Sequence, residues 1–395
     1  MKDIVIIANF CSALDKPSNS RFTYIADMLK EENNVEIIGS GFSHDLKKKR
    51  ICDFTRFSYK ITLVDEPGYK RNISIGRFLS HYVWGNRVYK YIMSRKKPDV
   101  VYCAIPSLNV AAKGGRYCNE HKIKFIIDVQ DLWPEAFQMV LNVPILSTLL
   151  FYPFKRIANR AYGAADDIIG VSQTYVDRAL SVNTKCKYGH SVFLGTNLKI
   201  FDQNVKDNFV MKPKDEVWLG YCGTLGASYD IKCVIDALHI LRQKEQKVPK
   251  FVVMGDGYRK KEFEEYAKEI KVDAWFTGNL PYHEMCGLLS SCDIVVNPIM
   301  HGAAQSIINK HADYAASGLP VINTQESFEY QNLVSKYDMG FNCKNSDAED
   351  IADKISLLIN DEALRVKMGK NARQCAENKF DRERSYLDIL KVISE

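Results

Sequence analysis

The chain has 395 residues, 46% of them hydrophobic and 26% charged, which excludes a disordered or collagen-like protein. It is longer than one ordinary core, so we expect two domains. The net charge of +6 is too small to indicate a nucleic-acid-binding protein. The charge is uneven, because residues 1–200 hold 29 basic and 18 acidic residues, and residues 201–395 hold 25 and 30. The basic half is therefore expected to face an anionic partner, such as a membrane surface or a phosphorylated acceptor.

Short apolar runs alternate with amphipathic stretches along the whole chain, as in proteins where strands and helices follow one another. The predicted strands are Ile4–Ala8, Val35–Ile38, Ile61–Val64, Val100–Ala104, Phe125–Asp128, Ile168–Val171 and Val192–Leu194, and then Val217–Cys222, Phe251–Met254, Ala274–Thr277, Ile294–Asn297 and Pro320–Asn323. Uniformly apolar runs are typical of parallel strands covered by helices on both faces. The pattern predicts two doubly wound α/β domains, residues 1–205 and 206–378. A C-terminal helix over 379–395 is expected to pack back on the first domain, and no strand is predicted after Asn323.

The eleven cysteines are scattered from Cys11 to Cys375 without a CxxC pair. No zinc-ligand spacing or disulfide framework is recognisable, which favours a reducing, cytoplasmic location. The first ten residues lack the apolar length of a signal peptide and predict a strand instead.

Two glycine-bearing turns follow strands in the second half. They are Gly223-Thr224-Leu225-Gly226 and Gly255-Asp256-Gly257. Glycine at this place lets the backbone approach a ligand, and N–H groups at a helix start attract phosphate. Ordinary tight strand-to-helix turns explain the same residues equally well. Neither turn matches the GxxxxGK[ST] or the GxGxxG pattern.

The segment 303–323 combines a helix start with charged residues. Ser306 is predicted to cap a helix on which Lys310 and Asp313 lie one turn apart. Lys310 can neutralise a phosphate there, while Asp313 can accept hydrogen bonds from ribose hydroxyls. A surface ion pair between the two side chains is the alternative.

Two motifs together resemble a known family. The pattern Ser306-x-x-Asn309-Lys310-x-x-Asp313 resembles the nucleotide-sugar segment of glycosyltransferase family 4. The segment Asp128–Glu135, Asp-Val-Gln-Asp-Leu-Trp-Pro-Glu, resembles one found in the branch that builds bacterial capsule and O-antigen repeat units. The resemblance spans nearly the whole chain. It implies a GT-B architecture, two Rossmann-like doubly wound domains with a cleft between them, the second binding the donor and the first the acceptor.

The family retains the anomeric configuration and needs no metal, so no cofactor is expected beyond the nucleotide-sugar co-substrate. The resemblance implies that Lys310 meets the leaving diphosphate, aided by the N-termini of the helices after Gly226 and Ser306. The residues it implies for donor binding are Gly223, Thr224, Gly226, Gly255, Asp256, Gly257, Gly278, Pro298, Gln305, Ser306, Asn309 and Asp313. Two departures stand out. Gln305 and Asp313 occupy the places of two family glutamates, and the loop after Cys222 lacks the Arg and Lys of many members.

Asp131, with Asp128 behind it, is the candidate catalytic residue of the first domain. It follows a predicted parallel strand, where it can bind the acceptor or take its proton. Capping of the next helix is the alternative, because Pro134 near the first turn suits a helix start.

Residues 136–154 carry no charge and are followed by Lys155, Arg156 and Arg160. Prolines and polar residues in the run argue against a transmembrane helix. We therefore predict an interfacial segment with a basic flank, and we group Trp133 with it as an acceptor or membrane contact. An internal helix packed on the sheet is the alternative.

The sequence thus predicts a retaining, metal-independent hexosyl- or N-acetylhexosaminyltransferase. Its donor is expected to be UDP-linked, and its acceptor a lipid-pyrophosphate-linked saccharide of capsule, O-antigen or exopolysaccharide assembly. It is expected in the cytoplasm, attached peripherally to the inner face of the membrane, without a nucleic-acid partner. The alternatives are an epimerase-like enzyme acting on UDP-sugars, and an inactive nucleotide-sugar-binding pseudo-transferase, which Gln305 keeps open.

Overall fold

The computed structural model describes residues 1–15, 20–72, 74–135, 144–303, 307 and 309–395, with the backbone alone for 144–150. The chain divides into two units. The first unit consists of Met1–Val192 and Tyr386–Glu395, and the second of Phe193–Ser385. The predicted sites at Gln305 and Ser306, and the uncharged run over 136–143, lie outside the described residues.

The strands follow the predicted apolar runs closely. They are β1 (Asp3–Ala8), β2 (Asn34–Ser40), β3 (Phe42–Ser43), β4 (Lys48–Lys49), β5 (Lys60–Val64), β6 (Val100–Ile105), β7 (Lys124–Val129), β8 (Asp167–Gly170), β9 (Gly189–Ser191), β10 (Trp218–Cys222), β11 (Lys250–Met254), β12 (Ala274–Gly278), β13 (Ile294–Asn297), β14 (Val321–Asn323) and β15 (Gly340–Asn342). Strands β3 and β4 form a small antiparallel hairpin.

Helices connect these strands. They are α1 (Arg21–Leu29), α2 (Ile75–Ser94), α3 (Leu108–Glu120), α4 (Pro144–Ala164), α5 (Gln173–Leu180), α6 (Leu198–Asn208), α7 (Ile231–Gln243), α8 (Lys260–Glu269), α9 (Tyr282–Ser290), α10 (Asn309–Ala316), α11 (Phe328–Tyr337), α12 (Ala348–Asn360), α13 (Glu362–Cys375), α14 (Arg382–Ser385) and α15 (Leu387–Ser394).

Each unit contains one parallel sheet. The first has the order β5-β2-β1-β6-β7-β8-β9, and the second β12-β11-β10-β13-β14-β15. The predicted pair of doubly wound α/β domains is confirmed. In such sheets ligands bind at the carboxyl ends of the strands where the chain order reverses. That point lies between β1 and β6 in the first unit, and between β10 and β13 in the second.

Two edge strands were predicted wrongly. β9 consists of Gly189–Ser191, just before the predicted run Val192–Leu194, and β15 lies beyond the last predicted strand. Both have three residues and are half-buried. An edge strand of this kind needs no apolar run, because only one side pairs and little of it enters the core.

The unit boundary differs from the predicted one at residues 205 and 206. The second unit begins at Phe193, because α6 buries Leu198 and Phe201 in the core of that unit. The C-terminal segment 379–395 is divided between the units at Ser385–Tyr386. Its last helix, α15, packs Ile389 and Ile393 into the core of the first unit.

A buried ion pair lies at the centre of the first unit. Arg21 at the start of α1 and Asp128 in β7 are 3% and 0% exposed, and their Nε and Oδ2 atoms are 2.7 Å apart. The Tyr102 hydroxyl also donates to Oδ2 at 2.7 Å. Arg21 Nη1 donates to the Val192 carbonyl at 3.0 Å, and the guanidinium lies 4.9 Å from the Tyr386 ring centre. This ion pair therefore joins α1, β7 and the two places where the chain leaves and re-enters the first unit.

We predict that Asp128→Asn lowers the free energy of unfolding of the first unit by about 3–5 kcal/mol, because the Arg21 charge stays buried without a counter-charge. Urea denaturation followed by tryptophan fluorescence measures the change. The double variant Arg21→Met/Asp128→Asn should lose less than the two single variants combined. Arg116→Ala, which breaks an exposed pair with Glu120, should leave the midpoint unchanged. Equal effects of Asp128→Asn and Arg116→Ala would contradict the prediction.

Candidate functional site

Lys310 lies at the switch point of the second unit. It belongs to the first turn of α10, and it is 7% exposed. Its Nζ is 3.9 Å from the ring centre of Tyr229 and 5.0 Å from that of Tyr221. Within the described parts of the chain, Nζ has no hydrogen-bond partner. Burial lowers the pKa of Lys310 to about 7. The side chain is thus a buried, unpaired amine between two aromatic rings.

Asp313, one turn further along α10, has a different environment. The Tyr282 hydroxyl lies 2.8 Å from its Oδ1 and 2.8 Å from the Thr196 hydroxyl. Burial raises the pKa of Asp313 to about 6. Among the ion pairs of the described residues, none joins Asp313 to Lys310. The alternative of a surface pair is therefore wrong, since both side chains are buried and Asp313 is engaged by Tyr282.

The two glycine turns pack directly on each other at the ends of β10 and β11. A Cβ on Gly255 would lie 1.8 Å from the Gly223 carbonyl oxygen, and one on Gly257 would lie 2.2 Å from that of Leu225. The Leu225 N–H donates to the Asp256 carbonyl at 2.9 Å. Close packing between turns therefore explains Gly255 and Gly257 without a ligand. Gly223 has a φ of 144°, a conformation that favours glycine.

The remaining predicted donor residues surround these turns. Gly278 ends β12 with a φ of 77° and forms a bridge with Gly255. The Pro298 carbonyl accepts from the Asp230 N–H at 2.9 Å. Thr224 is exposed, and so is Asn309 at the start of α10.

The helix after Gly226 does not offer the expected free N-terminus. This helix, α7, is capped by Asp230, whose Oδ1 accepts from the Cys233 N–H at 3.2 Å. Oδ2 accepts from the Ser346 hydroxyl at 2.8 Å. A carboxylate already occupies the positive end of this helix and would repel a diphosphate. The expectation for this helix is corrected, and the charge at the site comes from Lys310.

The first unit contains a cavity of about 220 Å³ at its own switch point, lined by both apolar and polar or charged residues. Asn9 and Phe10 follow β1, Ser107 follows β6, and Asp131 follows β7; all four line the cavity. The Trp133 indole N–H donates to Asp131 Oδ2 at 2.9 Å. Burial raises the pKa of Asp131. Asp131 is therefore oriented by Trp133 in a cavity wall, where a ligand can reach it.

Arg77 enters the same cavity from α2 and was not predicted. Its guanidinium lies 4.5 Å from the Trp133 ring centre, 5.5 Å from that of Phe10 and 5.6 Å from that of Tyr69. Burial lowers the pKa of Arg77, and burial together with Lys47 lowers that of His44, another lining residue, to about 4. Nothing in the sequence around Arg77 marks it, because the residues that surround it come from distant segments.

Asp128 has another role than predicted, and Trp133 is too buried for the membrane contact that was one of its two predicted roles. Asp128 is fully buried in the Arg21 pair, so it cannot contact a substrate and instead holds the strand that leads to Asp131. Trp133 is 5% exposed, which excludes a surface anchor. Lys155, Arg156 and Arg160 are exposed on α4.

None of the helices described is both long and apolar enough to cross a bilayer. Across the described ranges, no group of three or more His, Cys, Asp or Glu side chains is arranged to hold a metal.

Comparison with known proteins finds a family match within the second unit. Residues 202–375 match the family model of glycosyl transferases group 1. CapM of Staphylococcus aureus, a capsular polysaccharide biosynthesis glycosyltransferase, is 25% identical over 304 residues, covering 73% of this chain and 74% of CapM.

Solved structures share the fold of this chain. HepE of Anabaena, solved in complex with UDP, matches with a TM-score of 0.71 at 15% identity, over 99% of either chain. Sucrose-phosphate synthase of Thermosynechococcus elongatus matches with a TM-score of 0.73 at 15% identity, over 100% of this chain and 98% of that chain. The predicted GT-B fold is confirmed.

We predict that Lys310→Met stabilises the second unit, because it removes an amine that burial penalises when charged. The folded pKa of about 7 lies below the ordinary 10.5. Between these values the unfolded wild-type chain holds more protons, so wild-type stability rises with pH. The gain should be a few kcal/mol below pH 7 and disappear towards pH 10.5. Urea midpoints across this range measure it.

Lys268→Met, at an exposed lysine of α8, serves as the control and should leave the pH profile of stability unchanged. A constant difference between wild type and Lys310→Met across this pH range would contradict the assignment of the shift to Lys310.

Proposed function

We propose that this glycosyltransferase moves a hexose or N-acetylhexosamine from a UDP-sugar to a lipid-pyrophosphate-linked saccharide, in the assembly of capsule, O-antigen or exopolysaccharide. We further propose that it retains the anomeric configuration and needs no metal. The observation that carries the proposal is the buried Lys310, whose amine has no partner among the described residues, at the switch point of a unit that matches the group 1 model. CapM supports the polysaccharide role, and UDP in HepE supports the donor.

Lys310 would act on the leaving diphosphate. A buried amine with a pKa of about 7 is only partly charged at neutral pH, and a nearby diphosphate would favour its protonated form. The charge would then lie in a poorly hydrated site, where it stabilises the growing negative charge more than water does. The Tyr221 and Tyr229 rings hold the ammonium in place by cation–π contact.

The cavity of the first unit would bind the acceptor. Asp131 can accept a hydrogen bond from the attacking hydroxyl, and Trp133 fixes the orientation of its carboxylate. Arg77 places a positive charge in the same cavity, which suits a phosphate of the acceptor. Asp131 follows the carboxyl end of the parallel strand β7, where α/β domains bind their ligands, and Arg77 reaches the same cavity from α2.

The surface of the first unit suggests a membrane partner at the inner, cytoplasmic face. Leu79 and Tyr82 on α2 are 60% and 52% exposed, and Tyr152 on α4 is 56% exposed. The exposed cations of α4 follow Tyr152 within three turns. Exposed apolar side chains beside basic ones are typical of proteins that bind anionic membranes peripherally.

We predict that UDP-sugars raise the melting temperature of the protein more than GDP-, dTDP- or CMP-sugars do. Lys310→Ala should abolish transfer to a membrane extract acceptor while far-UV circular dichroism stays unchanged. Lys336→Ala, on an exposed face of α11, is the matched control and should transfer normally. Normal turnover by Lys310→Ala would refute the site.

Two other results of these experiments would support the two alternative functions. Nucleotide binding without transfer in the wild type would support the pseudo-transferase, which Gln305 keeps open. Conversion of the UDP-sugar to its epimer without an acceptor would support the epimerase-like enzyme.

We predict that the protein co-sediments with phosphatidylcholine vesicles only when they contain phosphatidylglycerol, and less so as salt increases. Replacing Lys155, Arg156 and Arg160 by Glu should abolish this binding, because the basic flank would become acidic. The same replacement of exposed Lys247, Lys261 and Lys268 in the second unit should not. Equal binding by both triple variants would contradict a membrane face on α4.

A further inference from the structure

An apolar groove adjoins the cavity of the first unit. It lies between α2, α3 and α4, and its walls include Phe78, Trp84, Leu108, Trp133, Phe154 and Ile157. Groove and cavity share Pro106 and Ser107 in their linings, so they are adjacent. A ligand with a polar and an apolar part would cross from one to the other at these two residues.

The wall between the two spaces is the Trp133 side chain. Arg77 lies 4.5 Å from the Trp133 ring centre, and Phe78 in the groove lies 6.0 Å from it. Phe78 in turn contacts Phe154, with ring centres 4.9 Å apart. A cationic position and an apolar position are thus separated by the width of one side chain.

Near Trp133, two buried polar atoms lack a hydrogen-bond partner among the described residues. Among the residues that the structure describes, Arg77 Nε and His81 Nε2 are buried without a hydrogen-bond partner. A buried unsatisfied donor is costly unless a ligand completes it. The Arg77 guanidinium can complete its hydrogen bonds with an anion, and phosphate suits its planar fork.

The size and surroundings of the groove restrict its apolar occupant. Its volume of about 60 Å³ corresponds to roughly four water molecules, which suits one branched five-carbon unit and not a long chain. The exposed Leu79 and Tyr82 side chains lie on the same helix as Phe78 and Arg77. A longer chain could therefore leave the groove across the surface where we place the membrane.

We propose that the groove binds the first prenyl unit of the lipid acceptor, with the phosphate next to that unit held by Arg77. This inference rests on the proposed function and names the part of the acceptor that the first unit recognises. The remainder of the prenyl chain passes over Leu79 and Tyr82 into the membrane, and the saccharide extends from the phosphate towards Asp131.

The test uses the full chain with farnesyl diphosphate, inorganic diphosphate, farnesol and dodecyl phosphate below their micelle concentrations. Trp84 and Trp133 line the groove, so tryptophan fluorescence reports occupancy. Wild type should bind farnesyl diphosphate at least about tenfold more tightly than inorganic diphosphate, farnesol or dodecyl phosphate. Ile157→Glu should reduce the farnesyl diphosphate affinity to that of inorganic diphosphate, which it leaves unchanged. Arg77→Gln should weaken both diphosphates.

The control is Met93→Glu, an exposed position at the far end of α2, which should bind all four probes like the wild type. Ile157→Trp, which fills the groove without a charge, tests the same contact should Ile157→Glu fail to fold. Equal binding of the two diphosphates, equal binding of dodecyl phosphate, or equal behaviour of Ile157→Trp and Met93→Glu would overturn the groove assignment. Wild type that transfers sugar but shows no such preference refutes the groove alone, and a preference without transfer refutes the proposed function alone.

Discussion

The structure of the first unit depends on the buried pair of Arg21 and Asp128. Two charges removed from water are stable only if each compensates the other and their remaining hydrogen bonds are filled. Tyr102 and the Val192 carbonyl fill them, and Tyr386 covers the guanidinium. Since Val192 and Tyr386 border the excursion of the chain into the second unit, the pair closes the first unit. It also fixes β7, and through it the position of Asp131.

The buried charged groups are of two kinds. Those that support the fold are paired, and cations at the candidate sites have a nitrogen without a hydrogen-bond partner among the described residues. Asp128 is fully buried and fully paired, whereas Lys310 is 7% exposed and its amine has no partner among the described residues. A fold that leaves a buried donor unsatisfied loses stability at that point. Such a loss is tolerated where a ligand restores the missing contacts, and local conflicts of this kind are expected at functional sites. In the first unit, Arg77 Nε is likewise buried without a hydrogen-bond partner among the described residues.

The sequence was sufficient for the central strands and for singling out Lys310 as a candidate, but not for the edge strands or the cavity of the first unit. Central parallel strands are buried on both faces, so β1, β6 and β10 are visible as apolar runs. The edge strands β9 and β15 carry no such run. Lys310 was found because its motif is contiguous. Arg77 was missed because its cavity is assembled from β1, α2 and β7. The burial of Trp133 was not predicted, because a single tryptophan has no periodicity that distinguishes a core position from a surface.

Burial shows which cations of the basic first half can interact with a partner outside the fold. Several cations of the basic first half are fixed in internal pairs, among them Arg21, Arg50 and Arg95. Their charges are compensated within the fold and contribute little to an external field. The charge available to an anionic surface is therefore carried by the exposed cations, which include those of α4. Under the proposed function the relation is reversed in the second unit, because the Lys310 amine has a pKa of about 7 and would gain its full charge when an anion binds.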